Sequence, residues 1–190
     1  MGKADIHLVD ETDEIEHQFR SLMRRLAGGV AVITAGRGDE ITGMTVTSLT
    51  SLSATPPRVL VSINRQASSF ALIERYRSFG VNILRSEQQT LADRFSNGRL
   101  KGRQRFEGTA WSAGASGVPL LAKALATVEC EAEEIIERHS HAIIVGRLIG
   151  MELSHRLSGL VYWNGQYFEI SHDTDLDLLA EVSIPLAHVR

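Results

Sequence analysis

Apolar residues occur along this chain mostly in short runs or in strict alternation, and both patterns predict strands. Residues 30–35 (VAVITA), 58–64 (RVLVSIN) and 78–84 (SFGVNIL) are rich in β-branched residues and short enough for buried strands. Residues 41–47 return from a turn at Gly36 and Gly38 and complete a hairpin with the first run. Val128, Cys130 and Ala132 alternate with Glu129, Glu131 and Glu133, which is the two-residue period of a strand covered on one face. Residues 141–153 form another Ile- and Val-rich strand, and 160–163 and 166–170 flank Asn164-Gly165, a strong hairpin signal.

Helical period is scarcer. Phe19, Leu22, Met23 and Leu26 fall at i, i+3, i+4 and i+7. They predict a helix over 14–27 whose stripe covers a sheet or barrel end, with Asp13 and Glu16 at capping-box spacing and Gly28-Gly29 as the stop. Short helices are predicted over 69–76, capped by Ser68, and from a Ser86/Gln89 box to Phe95. Residues 120–126 read as helical when taken alone, and the basic stretch 96–108, with Gly98, Gly102 and Gly108, as a mobile loop. About eight strands, few helices and no regular β-α-β alternation predict a mainly β fold, a closed or nearly closed barrel.

One stretch breaks the strand pattern. Residues 44–57 (MTVTSLTSLSATPP) begin by alternating and then lose their apolar face. Thr45, Thr47, Ser48, Thr50, Ser51, Ser53 and Thr55 carry hydroxyls, and only Val46, Leu49 and Leu52 are large and apolar between them. Hydroxyls donate and accept, so such a bank suits a polyol, a phosphate or a ring edge rich in carbonyls and nitrogens. It equally suits a Ser/Thr-rich edge strand and turn. Pro56-Pro57 removes two amide donors and ends the run in an extended corner.

Composition narrows the classes. The 190 residues, 43% hydrophobic, suffice for one domain with a sizeable core. The net charge of −3 does not suggest nucleic acid as a partner, and the arginines between 58 and 105 are not interleaved with a row of aromatics that bases would stack on. That basic middle, set between acidic ends, fits an anionic small molecule, or else a solvated surface. A single cysteine excludes an internal disulfide. No stretch is long and apolar enough to span a bilayer, and the acidic N-terminus lacks a secretory signal's apolar core, so a cytoplasmic protein is expected, with no membrane association.

Several chemical motifs fail. The 36–43 turn (GRGDEITG) has Ile41 where a dinucleotide fingerprint needs its third Gly, and Met44 where a P-loop needs Lys. His139 and His141 have the spacing of a metal pair but no third ligand close in sequence, so no metal is expected. There is no Gly-x-Ser-x-Gly elbow, and Cys130 sits among apolar neighbours as a core thiol.

Ordered motifs run through most of the chain: 28–34 (GGVAVIT), 43–53 (GMTVTSLTSLS) with Pro56-Pro57, 79–84 (FGVNIL), Arg105-Phe106 before Trp111, 128–130 (VEC), His141 leading 143–146 (IIVG), and 160–162 (LVY) with Tyr167. In this order the chain resembles the flavin reductase-like family, the small reductase components of two-component flavin monooxygenases, over roughly 19–170. The resemblance implies an FMN-binding split barrel, a Greek-key β-barrel with a few flanking helices. It implies FMN or FAD as cofactor, NADH or NADPH as co-substrate, a homodimer with sites near the subunit interface, and a separate oxygenase that receives reduced flavin. By the same resemblance Thr45, Val46, Thr47 and Ser48 face the flavin ring edge and ribityl chain, and Ser51, Leu52 and Ser53 add contacts near the ribityl and phosphate. Asn64, Arg65, Ser68 and Ser69 take the phosphate, and His141 lies on the nicotinamide side. Two positions depart from the family's habit. Val46-Thr47-Ser48 stands where Ala-Asn-Ser is usual, offering a hydroxyl in place of an amide, and Ser140 stands where an Asp often precedes the histidine. The expected organisation is an acidic arm over 1–13, the reductase-like domain over 14–170 and an acidic extension over 171–190. A flavin-binding protein with another electron acceptor, or a binding module without turnover, remains the alternative.

Overall fold

The computed structural model describes residues 11–171. Residues 1–10 of the expected N-terminal arm, and the expected acidic extension beyond Ser171, lie outside these residues. A helix, α1 (Glu11–Met23), leads into a first short strand, β1 (Gly28–Gly29). β2 (Ala31–Arg37) and β3 (Glu40–Val46) form the first hairpin, then β4 (Thr50–Ala54) and β5 (Pro57–Asn64) the second. Next come α2 (Ser68–Tyr76), β6 (Ser78–Ile83), a 3₁₀ turn (Ser86–Gln88), α3 (Gln89–Ser96) and a second 3₁₀ turn (Gly102–Phe106). β7 (Trp111–Ala113), β8 (Pro119–Leu121), β9 (Ala126–Arg138), β10 (His141–Leu153), β11 (Ser158–Trp163) and β12 (Gln166–Ser171) complete the described chain.

Seven strands make one antiparallel sheet in the order β3-β2-β6-β9-β10-β5-β4, while β1-β11-β12 and β7-β8 form smaller sheets. Hydrogen bonds do not close the large sheet: β3 and β4 are its two edges. Residues 47–49 join those edges through the chain, and the Ser48 hydroxyl donates to the Ser62 carbonyl of β5 at 2.8 Å. A split barrel results, open where the hydroxyl run crosses from one edge to the other.

The run 30–35 lacks strand alternation because β2 is covered on both faces. Ala31, Ile33 and Ala35 join one core with Val61, Ile63, Phe70, Ile73, Phe79 and Ile144. Val30 and Val32 join the other with Leu84, Leu91, Phe95, Phe106 and Leu160. Cys130 lies fully buried in the first core, and burial, with the charge of Glu129 beside it, pushes its thiol up to about 12. It is the inert core thiol that its alternation implies.

Several expectations need correction. The 120–126 stretch is not helical: β8 pairs with β7, and the Leu121 amide donates to the buried Asn82 Oδ1 at 2.7 Å. That tertiary acceptor outweighs a short local propensity. The 96–108 loop is pinned by the buried Phe106 and by Arg105. The box before α3 lies one residue earlier, with the Arg85 amide donating to Gln88 Oε1 at 2.8 Å. Helix α1 spans Glu11–Met23, and Ile15, Phe19, Leu22 and Met23, with Leu26 beyond its end, are exposed rather than set against a sheet end.

Glu129 organises the 114–118 turn from below. It is 5% exposed, and its carboxylate accepts the amides of Ala115 at 3.0 Å and Ser116 at 2.5 Å. Burial alone pushes its pKa up, but the hydrogen bonds it accepts from Ser116 and Ala115 more than reverse this, leaving it below the ordinary glutamate value. A carboxylate depressed in the folded state stabilises above its unfolded pKa and loses that contribution as pH falls through the folded one. Glu129→Gln is therefore expected to be less stable than wild type near neutrality, with the gap narrowing on acidification below the usual glutamate range. Urea melts across that pH series test it, and a constant gap refutes it.

Candidate functional site

The crossing at 45–48 is where candidate residues converge. On β3 the side chains alternate between the two cores: Met44 and Val46 pack into the first, whereas Gly43 backs onto Phe95 of the second. The Thr45 hydroxyl donates to the Ala92 carbonyl of α3 at 2.6 Å, tying the strand to that helix. Thr47 is exposed, and Gly28 lies so close that a Cβ there would meet Thr47 Cβ at 3.0 Å. Beside this corner lies a cavity of about 390 Å³. Thr45, Val46 and Thr47 form one wall, and Asp93, Tyr162 and Tyr167 line it from α3 and the β11–β12 hairpin.

Ser48 brings the run to β5 and from there to the rest of the candidate set. Its partner Ser62 lies two residues before Asn64, which is paired with His141 in the β5–β10 register. Asn64 Oδ1 accepts the Gln66 amide at 2.8 Å, turning the chain toward α2. Arg65 donates to the His139 carbonyl at 3.1 Å and pairs with Glu137, and its amide donates to the Ser140 carbonyl at 3.0 Å. Ser140 Oγ stands 2.9 Å from His141 Nδ1, so a neighbouring hydroxyl helps to orient the ring.

Helix α2 opens at the same end. Its N-cap is Ala67, with no side-chain cap, so Ser68 is the first helical residue rather than the cap. Its hydroxyl turns to β3 and lies 3.0 Å from Thr42 Oγ1, and the buried Ser69 hydroxyl donates to Met44 Sδ at 3.1 Å. With its first amides uncapped by a side chain and Arg65 adjacent, this end of α2 suits an anion.

The structure thus brings together 45–48, 64–65, 68–69 and 141, but not the remainder of the hydroxyl run. Ser51 pairs with Val59 and Ser53 with Arg58, so both lie toward the opposite end of β5 from Asn64. Val59 and Asn64 are five positions apart, roughly 17 Å along a strand. Ser51 and Leu52 are exposed on the sheet's edge strand. Sequence reasoning did not single out Asp93 or the facing positions of Tyr162 and Tyr167. The latter pair stood in a recognised motif, but nothing in its spacing showed that the hairpin folds over the 45–47 corner. Among the described residues no cluster of His, Cys, Asp or Glu could hold a metal, and no helix is long and apolar enough to cross a membrane.

The fold is thus a split barrel with a hydroxyl-lined corner, an uncapped helix end and an adjacent cavity at its open side. The flavin reductase like domain model matches residues 23–171, and the chain belongs to that family. It is 34% identical over 155 residues to the reductase component of an FADH(2)-dependent resorcinol hydroxylase from Rhizobium sp., covering 80% of this chain and 86% of the relative. An NADH-dependent FAD reductase of Streptomyces globisporus is 32% identical over 170 residues, 88% and 92% of the two chains. In three dimensions the chain is similar to the flavin reductase component of a bacterial two-component tryptophan halogenase, with a TM-score of 0.76, 34% identity and coverage of 82% and 98%. It is similar also to the Streptomyces globisporus NADH:FAD oxidoreductase solved with NAD and FAD fragments, with a TM-score of 0.76, 31% identity and coverage of 89% and 99%.

Proposed function

We propose that the chain is an NAD(P)H:flavin oxidoreductase that reduces FMN or FAD and supplies the reduced flavin to a separate oxygenase component in the cytoplasm. The observation that carries this reading is the corner at Thr47 and Ser48, which joins a hydroxyl-bearing edge to an anion-suited helix end at the barrel's open side. The fit is chemical. Thr45, Val46, Thr47 and Ser48 present hydroxyls and strand-edge backbone to a heterocycle, while Asn64, Arg65, Ser68 and Ser69 sit where a phosphate gains helix-end amides and a guanidinium. Ser51, Leu52 and Ser53, at the other end of β5, are left out of this set.

A bound flavin supplies the redox chemistry, accepting hydride from the nicotinamide. The protein's own part is to bind, align and exclude water. Alignment of two rings at about 3–3.5 Å is itself a large contribution, so no protein nucleophile is required. Ser48 already donates its proton to Ser62, so toward a ligand its oxygen acts as an acceptor. His141, exposed at the start of β10 and held by Ser140, pairs with Asn64 in the strand register, and its assignment to the nicotinamide side rests on the family resemblance alone.

Following the loss of NADH absorbance with and without added FMN or FAD tests the reading. Consumption that depends on added flavin is expected. A yellow protein that ignores added flavin indicates another acceptor, and flavin binding without consumption indicates a module without turnover. Phosphate recognition has its own test. Arg65→Ala is expected to weaken FMN by about fivefold, near 1 kcal/mol, because Arg65 is partly exposed and already shares its charge with Glu137. Riboflavin, which lacks the phosphate, should bind both forms equally in a fluorescence titration; equal losses for the two ligands count against the assignment.

The working form is a homodimer. The exposed stripe of α1 and the exposed Ile149, Met151 and Leu153 on one face of β10 support this, since the described residues leave these apolar surfaces uncovered. Sedimentation is expected to give twice the chain mass, and Phe19→Glu with Leu22→Glu to shift the protein toward monomer. A monomeric wild type refutes it.

A further inference from the structure

The cavity beside the 45–47 corner has a second wall whose chemistry the proposed flavin site does not use. Tyr162 and Tyr167 face each other across the β11–β12 hairpin with ring centroids 5.3 Å apart and planes inclined at 65°. Both pack against the second core, which fixes their rings, and both line the cavity. Asp93 enters from α3. Among the residues lining this cavity it is the one that carries a formal charge; the others are hydroxylic, aromatic, aliphatic or glycine. Burial, and then the charge and hydrogen bonding of Asp93, push the Tyr167 phenol up to about 12, so near neutrality it remains a neutral donor beside the carboxylate. Aromatic rings and a carboxylate around one space favour a planar cation over its neutral counterpart, through ring quadrupoles and through Coulomb attraction.

We infer that Asp93, Tyr162 and Tyr167 form a charge-selecting subsite that prefers the positively charged pyridinium ring of an oxidised nicotinamide to the neutral ring. The inference rests on the proposed function, because that reaction turns a neutral dihydronicotinamide into a cation. In the role assigned here, Asp93 favours the charge that builds on the nicotinamide as its hydride leaves, which makes it a specificity residue for the donor rather than for the flavin. The reaction stays balanced without it: the hydride and its electron pair pass from donor to flavin, and Asp93 neither gains nor loses a proton.

Two small probes isolate the effect from flavin chemistry. With flavin-free full-length protein, 1-methylnicotinamide, a cation, and nicotinamide, its neutral analogue, are titrated by ligand-observed NMR. Wild type is expected to bind the cation about tenfold more tightly, the sum of an exposed cation–π and an exposed charge contribution. That preference should disappear in Asp93→Asn, persist in Asp93→Glu and shrink in Tyr162→Leu. It should also weaken with added salt in the wild type, a readout that needs no variant to fold. Equal binding of the two probes by wild type, or an unchanged preference in a folded Asp93→Asn, overturns the inference. Failure of the reductase reading would show separately, as absence of flavin-dependent NADH consumption, to which this binding measurement is blind.

Discussion

Phe95→Ala is expected to lower stability by about 4 kcal/mol, the upper range for truncating a buried aromatic residue. Phe95 is 1% exposed and meets Phe106 edge-on at 5.1 Å and Trp111 at 5.5 Å. These contacts join α3, the Gly102–Phe106 turn and β7, and Phe106 and Trp111 also meet each other at 4.9 Å. The ring also backs the hydroxyl strand: a Cβ on Gly43 would lie 2.7 Å from Phe95 Cε1, so strand and ring are already in close contact. Removing the ring leaves a void beneath β3 that the split edge of the barrel cannot collapse to fill without moving Thr45. At roughly 2–4 °C per kcal/mol for a chain of this size, the melting temperature should fall by about 8–16 °C. Phe95→Leu, which refills most of the volume, should cost less than half as much. Scanning calorimetry of both variants checks this, and similar melting points for Phe95→Ala and wild type would refute the packing described here.

What the sequence made legible follows from how local each signal is. The β9 strand, the Asn164-Gly165 hairpin and the 141–153 strand depend on near neighbours, and each is present in the structure, although Glu129 breaks the β9 alternation by being buried under the 114–118 turn. The break in the pattern at 44–57 was equally legible, because a strand that loses its apolar face has lost its cover, and here that face opens at the split. The failures needed distant partners. Residues 120–126 have helical composition, but Asn82 holds the Leu121 amide from a strand about forty residues earlier. Ser68 precedes an apolar run as a cap should, yet Thr42 offers its hydroxyl another partner. Ser51 and Ser53 share the composition of Thr47 and Ser48, but only strand register shows that they lie at the other end of β5. Asp93 carried no signal at all, since one carboxylate on a short helix matters only when a hairpin about seventy residues later folds over it.

Arg105→Met is expected to destabilise by about 3 kcal/mol while retaining most of the side chain's length and packing. Its guanidinium donates to four backbone carbonyls: Gly43 and Phe95 at 2.7 Å, Leu100 at 3.0 Å and Asn97 at 3.1 Å. Among the described residues it has no carboxylate in an ion pair, and burial pulls its pKa below the usual arginine value. It nonetheless stays charged, because guanidinium groups do not deprotonate in proteins. Hydrogen bonds from a charged donor contribute more than neutral ones, and several of the carbonyls would be left partly buried without a partner. Gly43 lies on β3, an edge strand with carbonyls to which no second strand donates, so Arg105 substitutes for a missing neighbour there while clamping the end of α3 beside the cavity. A lysine is a single point donor and lacks the fork that spans these acceptors. Arg105→Lys is accordingly expected to recover less than half of the loss in urea melts, and to weaken flavin binding along with Arg105→Met because the 45–47 strand is no longer fixed against α3. Full recovery by lysine would show that charge, rather than the four-way clamp, is what this position supplies.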